Sequence, residues 1–203
     1  MKYEESAKRL MDFQKFLFDF TQMDRLIYFP DSKRQDRLEN NAEHSFSLAM
    51  AAWFLGSKYP ELDTNLLVKY ALVHDLVEIH AGDVQAIGRS EAEQAAKQAR
   101  EEEALQKLKD DWADFAGMTG LIEVYEKRQD PESRFVYALD KIMPMILNLL
   151  SNGKTWKKRN FTKSEVLHAK DSKVGASAEI EKLWKVFRKV IDSNDSYFNE
   201  GRA

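Results

Sequence analysis

Only eight glycines and four prolines punctuate this chain of 203 residues. So few turn-forming residues leave long uninterrupted elements, which favours helices over a many-stranded sheet. The apolar residues agree, recurring at helical spacing through most of the sequence. Leu10, Phe13, Phe16, Leu17 and Phe20 mark an amphipathic helix over roughly 3–23. The polar stretch 30–41 reads as a loop, with Asn40 or Asn41 placed to cap the next helix. That helix, 42–57, is apolar on nearly every face through Phe46, Leu48, Met50, Trp53, Phe54 and Leu55, so it is expected at the centre of a bundle. The next begins at Asp63 or Thr64, continues through Ile79 and stops at Gly82, and is expected to be equally central. A charged surface helix over 90–111 and a helix over 115–127 follow. Asp130-Pro131 makes a strong helix start, running through Leu139, Ile142 and Leu150 to Gly153. A last helical stretch spans 164–190, with a break near Gly175. No strand run or internal repeat stands out. The expected fold is all-α, one helical domain over 1–203, with a core over about 25–150 and a C-terminal segment, about 163–194, packed on it.

Composition narrows the chemistry. The chain has no cysteine. That excludes disulfides, thiolate zinc sites, iron–sulfur clusters and cysteine nucleophiles, so any metal is held by histidines and carboxylates. The net charge of -3 offers no general attraction to nucleic acid, and no nucleic-acid partner is expected. The N-terminal MKYEESAKRL lacks a signal-peptide core and no apolar run is long enough to span a bilayer. The expected location is the cytoplasm, without a membrane partner. One basic cluster, Lys154, Lys157, Lys158 and Arg159 around Trp156, reads either as a solvated loop or as a phosphate-attracting rim.

The polar residues inside the most apolar helices carry the functional signal. A buried ionisable group is costly unless it is paired or coordinates a metal. Three such helices carry them: His44 in one, His74, Asp75 and Glu78 in the next, Asp140 in a third. His74 and Glu78 are four residues apart and share a helix face, with Asp75 adjacent. One imidazole and one carboxylate suit a divalent ion such as Mn, Fe, Co, Ni or Zn, and ligands from two further helices would complete a cage inside a bundle. Pro144 removes the usual hydrogen-bond partner of the Asp140 carbonyl, so a kink is expected there. His80 reads as structural or at a pocket rim, His168 as exposed, and Met143 and Met145 as core filler.

The order His44 … His74-Asp75 … Asp140 resembles the H…HD…D signature of the HD-domain superfamily of metal-dependent phosphohydrolases. Locally, Arg37-Leu38-Glu39-Asn40-Asn41-Ala42-Glu43-His44-Ser45 resembles the R-x-E-N-x-A/S-E-H-S stretch of the HD-domain 5′-deoxynucleotidases. The run from His74 to Asp83 is similar to their H-D-x-x-E-x-x-x-G-D stretch, and Ala138-Leu139-Asp140-Lys141 to their third motif. The resemblance implies an all-helical, dimeric fold. It implies one divalent metal, Mg included among the candidates, on the residues matching His44, His74, Asp75 and Asp140. It implies hydrolysis of a nucleoside 5′-monophosphate to nucleoside and phosphate. Glu78 matches the family's acid/base carboxylate and Asp83 a site carboxylate. Arg25 matches an arginine that grips the phosphate, and Arg37 is a second candidate for that role. The chain departs from the family in a longer stretch between Arg25 and Arg37 and in Leu26, where a tryptophan often stands. Two alternatives stay open at this point: an HD hydrolase of another nucleotide, such as guanosine polyphosphate, and a metal- or nucleotide-binding module without catalysis.

Overall fold

The computed structural model describes residues 2–30, 37–82 and 91–201. Among the described residues, the fold is all-α apart from one small two-stranded sheet. In order, the elements are α1 (Lys2–Thr21), β1 (Asp24–Tyr28), β2 (Leu38–Asn40), α2 (Asn41–Gly56), α3 (Thr64–Val73), α4 (Glu78–Ala81), α5 (Glu91–Asp111), α6 (Ala116–Lys127), α7 (Pro131–Leu150), α8 (Lys154–Lys158), α9 (Lys163–Val174) and α10 (Ala178–Asp192). Short 3₁₀ turns at Ala113–Phe115 and Asp195–Tyr197 precede α6 and follow α10.

Local chemistry sets the starts of the two helices that matter most to the site. The Asn40 side chain accepts from the Glu43 amide while Glu43 reaches back to the Asn40 amide, a reciprocal capping box that fixes where α2 begins. Asp130 caps α7 by accepting from Ser133 N at 2.6 Å, with Pro131 at the first helical position. α7 is the central post. Its Phe135, Val136, Leu139, Ile142 and Met145 are buried, and α2, α3, α6, α9 and α10 all pack against it. Pro144 sits inside α7 without ending the helix. The second core region lies between α1, the α3–α4 junction, α5 and α6, around Phe16, Phe20, Leu76, Leu108 and Ile122.

Four expectations need correction. First, a strand pair exists. β1 and β2 pair antiparallel with Asp24 opposite Asn40 and Tyr28 opposite Leu38. Four residue steps on β1 therefore face two on β2, a bulged arrangement whose bulge contains Arg25. Second, the helix expected over 64–79 is interrupted. Its regular part ends at Val73, and residues 74–77 form a tightened turn in which Leu76 N bonds Val73 O (3.1 Å) and Glu78 N bonds Asp75 O (2.9 Å) before α4 begins. Third, α2 is not buried all round. Phe46 is 65% exposed, Trp53 56% and Phe54 65%, with Met50 beside them, while Asn41, His44 and Ser45 face inward. The inward face of α2 mixes these polar groups with Leu48, Ala49 and Ala52, while four of its large apolar side chains stay outside. Fourth, the basic cluster is neither a loop nor fully solvated. It forms α8, with Trp156 buried and stacked on Phe198 at 5.1 Å between ring centroids. Arg159 donates to the Leu26 carbonyl at 3.2 Å.

Gly153 explains how the chain end reaches Trp156. It has φ +73, and a Cβ there would lie 2.0 Å from the Tyr197 carbonyl oxygen, so only glycine admits so close a backbone approach. Among the described residues, no helix is long and apolar enough to cross a membrane.

Candidate metal centre

The turn 74–77, the start of α2 and the middle of α7 converge on one buried cluster. His44, His74 and Asp75 each offer a ligand atom, and these atoms lie within 4.8 Å of one another. Asp140 joins from α7, its Oδ1 2.8 Å from His44 Nε2 and 3.9 Å from His74 Nε2. His44 is fully buried and His74 nearly so. The tightened turn brings His74 Nε2 to 3.0 Å from Asp75 Oδ2 although the two residues are sequence neighbours.

Two details of this cluster favour a cation. His74 Nδ1 lies 2.9 Å from the Ala71 carbonyl oxygen. A carbonyl only accepts, so Nδ1 carries the proton and Nε2 presents its lone pair. That buried Nε2 has no hydrogen-bond partner, yet it faces a carboxylate oxygen. Lone pair against carboxylate is repulsive unless a positive charge lies between them, either a proton on Nε2 or a metal ion in its place. The donor set of two imidazoles and two carboxylates suits a divalent transition ion. These residues therefore fit a metal, with His44, His74, Asp75 and Asp140 as the groups able to hold it.

A second layer of buried groups orients the first. Glu39 on β2 is 1% exposed and places Oε2 3.5 Å from His44 Nδ1 and 3.4 Å from Arg25 Nε. A carboxylate behind a ligating histidine fixes its ring and raises its basicity. Arg25 reaches in from the β1 bulge, its Nη1 donating to Asp75 Oδ2 at 2.7 Å. Asn41, fully buried at the start of α2, donates from Nδ2 to Glu78 Oε2 at 2.8 Å. Lys141 donates to Asp140 Oδ2.

Charge states follow. Burial raises the Asp75 pKa, but His74, when Nε2 carries a proton in place of a metal, and Arg25 outweigh it and hold the carboxyl below its ordinary range. For Asp140, burial again opposes ionisation, and Lys141 and His44 more than reverse it. Burial and then Arg25 depress His44, yet its bonds to Asp140 and Glu39 leave it above the ordinary histidine value. Burial, aided by Asp140 and Asp75, pushes the Tyr125 phenol well up, so it stays neutral beside the cluster.

The structure thus brings together His44, His74, Asp75, Asp140, Glu78 and Arg25. Arg37 is engaged elsewhere: its Nη1 donates to Glu43 Oε2 at 2.6 Å and its guanidinium lies over the Phe29 ring at 4.3 Å. Asp83 lies outside the described residues. His80 sits 3.6 Å from Asp111 and His168 is exposed, both away from the cluster. Sequence reasoning had given Glu39 no site role beyond its place in the matched 37–45 stretch, and had read Asn41 only as a cap candidate. Their signal was present: two polar side chains immediately before an apolar helix that carries a buried histidine.

Fold and site together define an all-helical protein built around a histidine–carboxylate centre. The HD-domain family model matches residues 31–184, and the chain belongs to the HD-domain family. Among solved structures, it is similar to a predicted metal-dependent phosphohydrolase from Magnetospirillum magnetotacticum MS-1, with 28% identity, a TM-score of 0.73, and coverage of 94% of this chain and 95% of that one. No curated protein matches the chain.

Proposed function

We propose that the chain is a metal-dependent phosphohydrolase that releases phosphate from nucleoside 5′-monophosphates, working as a cytoplasmic homodimer. The hydrolase class is supported by the HD-domain match and by the similarity to the Magnetospirillum protein. The observation that carries the metal dependence is the buried, unpartnered His74 Nε2 facing Asp75, with His44 within 4.8 Å. The nucleoside monophosphate rests on the likeness of 37–45 and 74–83 to the 5′-deoxynucleotidase stretches.

A divalent cation, when bound, makes water nucleophilic near neutral pH and withdraws charge from a phosphoryl oxygen. The chain's own residues do the rest. Glu78, fixed through Oε2 by the Asn41 amide, takes the proton from the attacking water at its other oxygen and returns one to the leaving 5′-oxygen. Arg25, anchored on Asp75, presents its guanidinium to the charge that builds on the phosphoryl oxygens. Asp83 is assigned a place beside the sugar or the water by likeness alone. Arg37, held by Glu43, acts at most on the outer part of the substrate.

The apolar stripe of α2, Phe46, Met50, Trp53 and Phe54, with Leu72 of α3 beside it, supports the homodimer, because large exposed apolar patches mark interaction surfaces. The activity test is phosphate release from a panel of nucleoside monophosphates, assayed with and without added divalent metals. Metal-dependent turnover that vanishes in Asp75→Ala is expected. Full activity in that variant, or none on any monophosphate with any metal, would refute the reading.

A further inference from the structure

We propose that Lys141 holds Asp140 to the metal through a single oxygen and so keeps a coordination position open for the reaction. The two oxygens of Asp140 are divided between different neighbours. Oδ1 faces the imidazoles, 2.8 Å from His44 Nε2 and 3.9 Å from His74 Nε2. Oδ2 accepts from Lys141 Nζ at 2.5 Å. Asp75 is held otherwise, since Arg25 bonds the same Oδ2 that faces His74. The ion itself rests on the metal-dependent reading; the division of Asp140 rests on its contacts alone.

Lys141 is fixed from a second side. Residues next to each other on a helix point about 100° apart, so the lysine stem must bend back to reach its neighbour. Its ammonium then lies 4.8 Å from the centre of the Tyr137 ring, one turn earlier on α7. The guanidinium of Arg128 lies over the same ring at 4.3 Å. The Asp140 side chain is 6% exposed, which leaves little room for water to replace the lysine at Oδ2. A buried carboxylate oxygen without a donor is costly. With the lysine removed, that oxygen would turn to the cation already beside Oδ1. His44, His74, Asp75 and Asp140, each ligating through one atom, leave a pair of positions open on an octahedral ion. The attacking water and a phosphoryl oxygen use both. An Asp140 that ligates through both oxygens takes one of them away. Lys141 is therefore a positioning residue, acting through Asp140.

The experiment counts exchangeable water on bound manganese by proton relaxation, in wild type, Lys141→Met and Lys141→Arg, with metal loading fixed by calorimetry. Relaxivity scales with the number of water molecules on the ion. It should fall by about two-fold in Lys141→Met, as one of the open pair closes. Lys141→Arg, which keeps a charged donor for Oδ2, should stay close to wild type. A lysine that only supports the fold would leave the relaxivity per bound ion unchanged. Equal relaxivities in wild type and Lys141→Met overturn the proposal, as does a folded Lys141→Met protein that binds no manganese. Lys141→Gln, which loses the charge but keeps a polar tip, takes the place of Lys141→Met should that variant not fold. A wild-type protein that binds no divalent cation overturns the metal reading and the proposal together; manganese binding with equal relaxivities overturns the proposal alone.

Discussion

Replacing Glu39 by glutamine separates the charge behind His44 from the shape that holds it. Glutamine keeps an oxygen able to accept from His44 Nδ1, 3.5 Å away, but removes the negative charge also felt by Arg25 at 3.4 Å. Loss of such an outer carboxylate weakens metal binding by about 10–100-fold. That factor corresponds to roughly 1.4–2.7 kcal/mol. At a metal concentration well above both dissociation constants, the stabilisation by metal falls by the same amount. At about 2–4 °C per kcal/mol for a chain of this size, the metal-induced rise in Tm shrinks by roughly 3–11 °C. The assay is thermal unfolding of wild type and Glu39→Gln, each with and without saturating manganese. Taking the difference within each protein cancels any change in the metal-free fold. Equal metal-induced shifts in the two proteins would refute the orienting role of Glu39.

Asn41→Ala should keep metal affinity but lower kcat by about 10–100-fold, since it removes the amide that fixes Glu78 Oε2; steady-state kinetics beside metal titration reads this, and an unchanged kcat contradicts it. Trp53→Glu should convert dimer to monomer in analytical ultracentrifugation while leaving the circular dichroism of the fold intact, because Trp53 is already 56% exposed in the single chain; an unchanged sedimentation coefficient removes the stripe as the interface. Asp171 accepts from Trp184 Nε1 at 2.8 Å and pairs with Arg188. Burial opposes its ionisation, but these partners hold its pKa below the ordinary value. A carboxyl with a lowered folded pKa adds stability that is present above its unfolded value and lost as pH falls through the folded one. Asp171→Asn should therefore lower Tm at neutral pH by no more than about 2–4 °C, the equivalent of about 1 kcal/mol for an exposed pair. The gap should close in strong acid, and a gap independent of pH would contradict the assignment.

The sequence was legible where short-range chemistry decides. Asn40 with Glu43, and Asp130 with Pro131, announce helix starts through contacts within four residues, and both helices begin there. His44, His74, Asp75 and Asp140 were legible because ionisable groups in oily helices demand a partner, and the fold brings them together. The hairpin was not legible. β1 and β2 are five and three residues long and lack an alternating pattern, so nothing local separates them from loop. The break after Val73 was hidden because apolar spacing continues across a 3₁₀ turn almost as it does along a helix. The outward face of α2 was misjudged because apolar residues on every side do not say which neighbours exist to cover them.

Gly153 ties the far end of the chain to the helix that bears Asp140. With the Tyr197 carbonyl where a Cβ would stand and Phe198 lying flat on Trp156, residues 195–198 act as a plug beneath α7 rather than as a loose tail. Trimming the chain at Ser193 would expose an indole that is now 2% accessible and loosen the lower anchor of the central helix. Position 153 is therefore closed to sequence drift even though it lies outside every motif.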